Sequence, residues 1–374
     1  MPVTDPSAPA RAPEVPRLGH EWSLHVADVA TGRTLVDRHA AEPRMPASNM
    51  KIITAAAALI TFGASHRFTS TAHLDGDGLV IVRGGGDPSF NAQAIVDIAA
   101  AVAERWRPSA RLPRVMVDIG LYPPFTPAPG WSPDFLPYEV RPVVPLAPAI
   151  HASMAPHEWS GMQVAAAIGR RTGGAVFIGT GRVPAGAQCI ARVGSERVDD
   201  LVRRMLLVSS SNVAEALARN VAIARGLPAT WDGVRRGLEG AMRDAGFRID
   251  GCRFVDGSGL SRRVVVRTEL ITDILVEAAA ARRHPALGVI ADALPVAGLT
   301  GTLRMQKGWF PDDRHAAVFG RVRAKTGTLR DVAALSGYVD HRSGRRSAFS
   351  VLVNGCDGWA AREAVTTLVA GMVV

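Results

Sequence analysis

The chain has 374 residues, 47% of them hydrophobic and 21% charged, with a formal net charge of +9. That composition excludes a disordered or fibrous protein and leaves material for two to three domains. The arginines are scattered singly and in pairs without interleaved aromatics, so no nucleic acid is expected, and Cys189, Cys252 and Cys356 lack the spacing of a zinc or disulfide framework.

Residues 1–20 read as a Pro/Ala-rich linker with no apolar signal-peptide core. Apolar and polar residues alternate on both sides of Thr31-Gly32, which predicts a β-hairpin. Helical periodicity then runs from about Ala47 to Gly63, and its apolar run, Ile52 to Phe62, is too short to span a bilayer. From about 70 to 191 the pattern changes to short strands such as "GLVIVRGGG" and Pro-rich loops such as "YPPFTPAPGWSP", as in a separate inserted unit. Helices are predicted near 197–208, 213–225 and 266–282, then strands "VRAKTGTL", "AALSGYV" and "RSAFSVLVN", and a last helix from Trp359 to Ala370. This order is an α/β layout in which helices cover a sheet.

Three short stretches carry chemistry. In "PASNMKIITAAAAL", Pro46 bars helix before it and Ser48 falls where the helix begins, with Lys51 three residues on and on the same face. A serine becomes a nucleophile when a neighbouring base takes its proton, and an amine serves once burial or nearby positive charge lowers its pKa. An N-cap serine followed by a solvated lysine fits the same spacing. In "LLVSSSNVAEALARN", a hydroxyl two residues before the Asn212 amide, which is Ser210, suits proton relay while the amide holds a substrate backbone; a Ser-rich interhelical turn is the plain alternative. In "RAKTGTL", Lys325, Thr326 and Gly327 place a cation, a hydroxyl and a bare backbone on one strand, which suits a peptide ending in a carboxylate. "LTGTL" at 299–303 lacks the lysine and reads as structural.

Only three of the 43 basic residues are lysines, and two of them, Lys51 and Lys325, fall in these motifs. Arginine does not give up its proton in a protein, so a base at position 51 has to be lysine. Lys307, in "MQKGWF", fits no motif and reads as solvated.

An ordered set of S-x-x-K, S-x-N and K-T-G is that of penicillin-binding proteins and class A β-lactamases. The motif separations, 162 and 115 residues, are too long for the compact class A enzymes. The chain resembles the D-alanyl-D-alanine carboxypeptidases/endopeptidases of the penicillin-binding-protein-4 type. "RMPASNMKIITAAAAL", "GGGDPSF", "MLLVSSSNVAEALAR", "VDGSGLSR", "LPVAGLTGTL" and "AKTGTLRDVAALSGYV" carry the likeness. It departs from that pattern at Ser211, where aspartate is usual, and in an insertion shorter than the family's nested domains.

The resemblance implies a penicillin-binding transpeptidase-like (serine β-lactamase-like) domain from 21–69 and 192–374, an antiparallel sheet covered by helices, with a β-rich domain inserted at 70–191. It implies Ser48 as nucleophile, Lys51 as its base and Ser210 as proton relay. Asn212, Lys325, Thr326, Gly327 and Thr328 then bind substrate, and the backbone N–H groups of Ser48 and Thr328 form the oxyanion hole. Lys325 is further expected to depress the Lys51 pKa, and "DGSGLSR" to be structural. The implied partners are peptidoglycan stem peptides, with β-lactams as covalent inhibitors, outside the cytoplasmic membrane; no cofactor is required. A β-lactamase or esterase, or a penicillin-binding sensor without turnover, uses the same motifs.

Overall fold

The computed structural model describes residues 10–11, 21–107, 111–148, 155–305, 309–310 and 313–373; Lys307 and most of the expected linker lie outside them. The first segment contains β1 (Ala10–Arg11), β2 (Trp22–Asp28), β3 (Thr34–Arg38) and α1 (Met50–Phe62). The second contains β4 (Arg67–Leu74), β5 (Leu79–Arg83), β6 (Asp87–Phe90), α2 (Ala92–Arg105), β7 (Arg114–Asp118), β8 (Leu146–Pro148), α3 (Pro156–Thr172), β9 (Val176–Thr180) and β10 (Gln188–Arg197). Five helices follow: α4 (Val198–Val208), α5 (Ser211–Ala224), α6 (Trp231–Asp244), α7 (Thr268–Ala280) and α8 (Gly288–Ala293). The chain closes with β11 (Val322–Leu329), β12 (Val332–Asp340), β13 (Arg346–Asn354) and α9 (Ala361–Ala370).

The principal sheet has the order β1-β3-β2-β13-β12-β11, antiparallel except for the short β1 pairing. Its hairpin turns at Gly32, where φ is 74° and Asp28 Oδ1 accepts from the Thr31 N–H and hydroxyl. Both faces are apolar, so helices are needed on both. Ala334, Tyr338, Ala348 and Leu352 face a core built on α1, α4, α5 and α7. Their strand neighbours Leu335, Val339, Phe349 and Val351 face a second core with Val365 and Val369 of α9.

The segment from β4 to β10 builds its own mixed sheet, β10-β4-β5-β7-β9, and its own core. The sequence reading expects this region to be rich in strands; it also carries α2 and α3. Its parallel pairs β5–β7 and β7–β9 require long crossovers, and α2 and α3 supply them. α2 mixes its alanines with the β-branched Ile95, Val96, Ile98 and Val102, so in sequence it blends with the strands on either side. α6 was also missed.

Among the described residues, no helix is long and apolar enough to cross a membrane. A loop of the second unit returns to the first: Trp131 Nε1 donates to Asp256 Oδ2 at 2.7 Å, and Trp131, Val140 and Val143 pack with Ala216 and Leu260.

Candidate active site

Ser48 lies in a single 3-10 turn, Ala47–Asn49, that runs directly into α1. Ala47 takes φ +44°, a left-handed conformation that costs a non-glycine residue roughly 1–2 kcal/mol. The chain therefore bends sharply just before the serine, and the Ser48 side chain caps neither helix. Lys51, one turn on, is fully buried, which rules out the solvated lysine. Its Nζ lies 2.9 Å from Ser48 Oγ and donates at 2.9 Å to the carbonyl of Ser258.

Burial pulls the Lys51 pKa down to about 8, against the opposing pull of Asp256, Glu215 and Glu139. Burial and the Lys51 charge push Lys325 far below its ordinary value. The charges acting on Lys51 are these three carboxylates and not Lys325, which corrects the expectation that Lys325 depresses it.

The 256–261 loop, expected to be structural, touches the base through Ser258. Glu215 of α5 accepts from the N–H groups of Gly257 and Ser258, at 3.1 and 2.8 Å, while Asp256 accepts from Gly259 and Ser261. Both buried carboxyls have raised pKa values, burial being the main cause. Gly259 has φ +77°, and a Cβ there would collide with the Ala47 carbonyl.

β11 is the edge of its sheet. The Ala324 N–H donates outward to Pro295 O at 2.8 Å, so even-numbered residues turn their backbone groups away from β12. Thr326 and Thr328 share that parity and face the open edge. Gly327 lies against the Ser48 turn: a Cβ would sit 2.9 Å from Pro46 O and 3.1 Å from Ser48 N. Strand and turn approach this closely because position 327 has no side chain.

A cavity of about 620 Å³ opens here, and Ser48, Ser209, Thr302, Thr326, Gly327 and Thr328 line it. Lys325 Nζ donates to Ser209 Oγ at 2.9 Å and to Thr326 O at 2.8 Å. Thr326 Oγ1 donates to Thr302 Oγ1 at 2.8 Å.

The assignments of Ser210 and Asn212 need correction. α4 ends at Val208, and Ser209, with φ +60°, turns its hydroxyl to Lys325 and the cavity. Ser210 instead caps α5, accepting from the Val213 N–H at 3.4 Å. Asn212 faces the second unit: Oδ1 accepts from the Arg141 N–H at 3.0 Å and Nδ2 donates to Arg141 O at 3.1 Å. Ser210 and Asn212 line a separate, small crevice with Arg141 and Pro148. Counting back from Asn212 selected Ser210 because three adjacent serines are equivalent in sequence; the backbone reversal at Ser209 distinguishes them.

Glu139, Thr302, Arg304 and Arg362 also line the cavity and were missed. Thr302 belongs to "LTGTL" at 299–303, which was expected to be structural, and its place in the cavity wall corrects that expectation. Arg362 had no signal. Among the described residues, no group of His, Cys, Asp and Glu is arranged to hold a metal ion.

Comparison with known proteins agrees with this architecture. Carboxypeptidase DacB of Mycolicibacterium smegmatis is 35% identical over 372 residues, covering 92% of this chain and 78% of that protein. The crystal structure of penicillin binding protein 4 (dacB) from Haemophilus influenzae matches at a TM-score of 0.74 and 18% identity, covering 94% of this chain and 96% of that one. The same protein complexed with a novel β-lactam matches at 0.72 and 19% identity, covering 96% of both. The model of the D-Ala-D-Ala carboxypeptidase 3 (S13) family matches residues 10–150 and 147–372, so this chain is a serine hydrolase belonging to that family.

Proposed function

We propose that the chain cleaves the D-alanyl-D-alanine end of peptidoglycan stem peptides, as a carboxypeptidase, an endopeptidase or both, through an acyl-enzyme on Ser48. The observation that carries this reading is the fully buried Lys51 amine 2.9 Å from Ser48 Oγ, beside an open strand edge. A neutral Lys51 takes the Ser48 proton as Oγ bonds to the carbonyl carbon of the penultimate D-alanine. The oxyanion forms between the N–H groups of Ser48 and Thr328, an arrangement worth about 3–4 kcal/mol per donor in other enzymes.

The C–N bond then breaks, and the proton that Lys51 took from Ser48 passes to the departing amine through Ser209, which is hydrogen-bonded to Lys325, leaving Lys51 neutral again. Ser209 replaces Ser210 in this role. Water attacks the ester carbonyl as Lys51 accepts its proton, and Lys51 returns that proton to Ser48 Oγ as the acyl C–O bond breaks. The peptide aligns along the outer edge of β11, with Thr326 and Thr328 near its terminal carboxylate.

β-Lactams acylate the same serine, a reading supported by the β-lactam complex of the similarly folded Haemophilus influenzae protein. The enzyme works outside the cytoplasmic membrane, where such peptides are found. The test is intact mass after incubation with benzylpenicillin, with peptide mapping, alongside hydrolysis of a D-Ala-D-Ala peptide. One drug molecule on Ser48 together with released D-alanine is expected, and Ser48→Ala loses both while keeping its melting temperature. An adduct at another residue, or labelling that survives in Ser48→Ala, refutes the nucleophile.

A further inference from the structure

Arg362 projects from α9 into the cavity that contains Ser48. Its guanidinium carbon lies 3.7 Å from the ring centre of Trp359 and 5.4 Å from that of Trp309. Stacking of this kind holds a guanidinium plane in place without neutralising it. No carboxylate among the described residues pairs with it, unlike Arg235, Arg262 or Arg346, which have acidic partners on the surface. Burial lowers its pKa to about 10, so it is charged at neutral pH.

Its hydrogen bonds are equally distinctive. Nε and Nη2 both donate to Thr328 Oγ1, at 3.1 and 3.0 Å. A threonine hydroxyl has two acceptor lone pairs and one proton, so this fork leaves Thr328 only its proton to offer. The other polar groups at this strand edge are already engaged. Lys325 Nζ is committed to Ser209 and Thr326 O, and the Thr326 hydroxyl proton to Thr302. Among the residues that line the cavity, Arg362 and the more exposed Arg304 are the cations.

We propose that Arg362 is a specificity-determining residue: it turns Thr328 into an obligate donor and supplies the fixed charge that selects substrates with a free α-carboxylate beyond the scissile bond. The proposal rests on the peptidase reading above and adds to it a residue outside the three motifs. A carboxylate accepts the Thr328 proton and attracts the guanidinium, whereas a terminal amide provides neither the charge nor the full acceptor set.

The experiment compares kcat/KM for one peptide ending in D-Ala-D-Ala and for its C-terminal amide, in the wild type, Arg362→Ala and Arg362→Lys. Wild type is expected to favour the acid. Arg362→Ala should narrow the acid-to-amide ratio roughly 10- to 100-fold, mainly through KM for the acid, as expected for loss of a hydrogen-bonded charge. Arg362→Lys should recover part of the ratio, because it restores the charge without the fork. Rates that fall in proportion for both substrates, or an unchanged ratio, overturn the proposal. If Arg362→Ala does not fold, the ratio in Arg362→Lys decides: a ratio equal to wild type overturns it. A wild type labelled by benzylpenicillin at Ser48 yet indifferent to the terminal carboxylate overturns this proposal alone. A wild type that takes neither penicillin nor either peptide overturns the peptidase reading and this one with it.

Discussion

Gly327→Ala tests the contact on which the site geometry depends. The added Cβ would lie 2.9 Å from Pro46 O, 3.1 Å from Ala47 Cβ and 3.1 Å from Ser48 N. Carbon atoms rest at roughly 3.5–4.0 Å, so β11 and the Ser48 turn must separate by about 0.4–0.9 Å. All three opposing atoms belong to the turn's backbone or to a Cβ fixed to it, and none can rotate away.

Relief therefore comes from widening the gap between Ser48 N–H and Thr328 N–H, the proposed oxyanion donors. Losing one such donor costs about 100- to 1000-fold in kcat, and a displacement near 1 Å about 100-fold. Acylation by benzylpenicillin should thus fall about 100-fold or more, whereas overpacking costs about 1–3 kcal/mol of stability. Stopped-flow or quenched intact-mass kinetics measures the first quantity, and denaturant melts the second. Wild-type acylation in a folded Gly327→Ala protein would refute the reasoning, since the strand and the turn would then not need to touch.

Ser209→Ala should slow peptide turnover at least tenfold. Ser210→Ala should leave turnover nearly intact and cost about 1 kcal/mol as a lost helix cap; the opposite pattern in peptide assays and melts would restore Ser210 to the site. Acylation requires neutral Lys51, so its rate should rise with pH through about 8, and a bell or a fall there would argue against an amine base. The charged groups facing Lys51 are Asp256, Glu215 and Glu139, with Lys325 across the site and Arg219 facing Glu215. Glu215→Gln removes an anion that favours the Lys51 ammonium, so it should move that midpoint to lower pH. A pH–rate profile that stays in place, or moves up, sinks this account.

Local features were legible in the sequence. The Ser48/Lys51 pair depends only on a three-residue separation at a helix start, and Thr31-Gly32 announced the first hairpin by turn chemistry. The strand and helix order of the last third also followed from periodicity. α2 and α6 were not recognised although Asn91 and Thr230 cap their first turns, because the β-branched residues of α2 and Gly233, Gly237 and Gly240 of α6 weaken a helical pattern.

The residue types, their order and the scarcity of lysine determined by themselves the family and singled out Ser48 and Lys51 as the proposed nucleophile and base, since each depends on chemistry that neighbours along the chain can specify. Tertiary structure alone decided which of three serines meets Lys325, that Asn212 clamps Arg141, and that Ser258, Thr302 and Arg362 reach one site. Those contacts join residues separated by tens to hundreds of positions. The conformations that create them, at Ala47, Ser209 and Gly259, are backbone reversals held by packing from elsewhere in the fold.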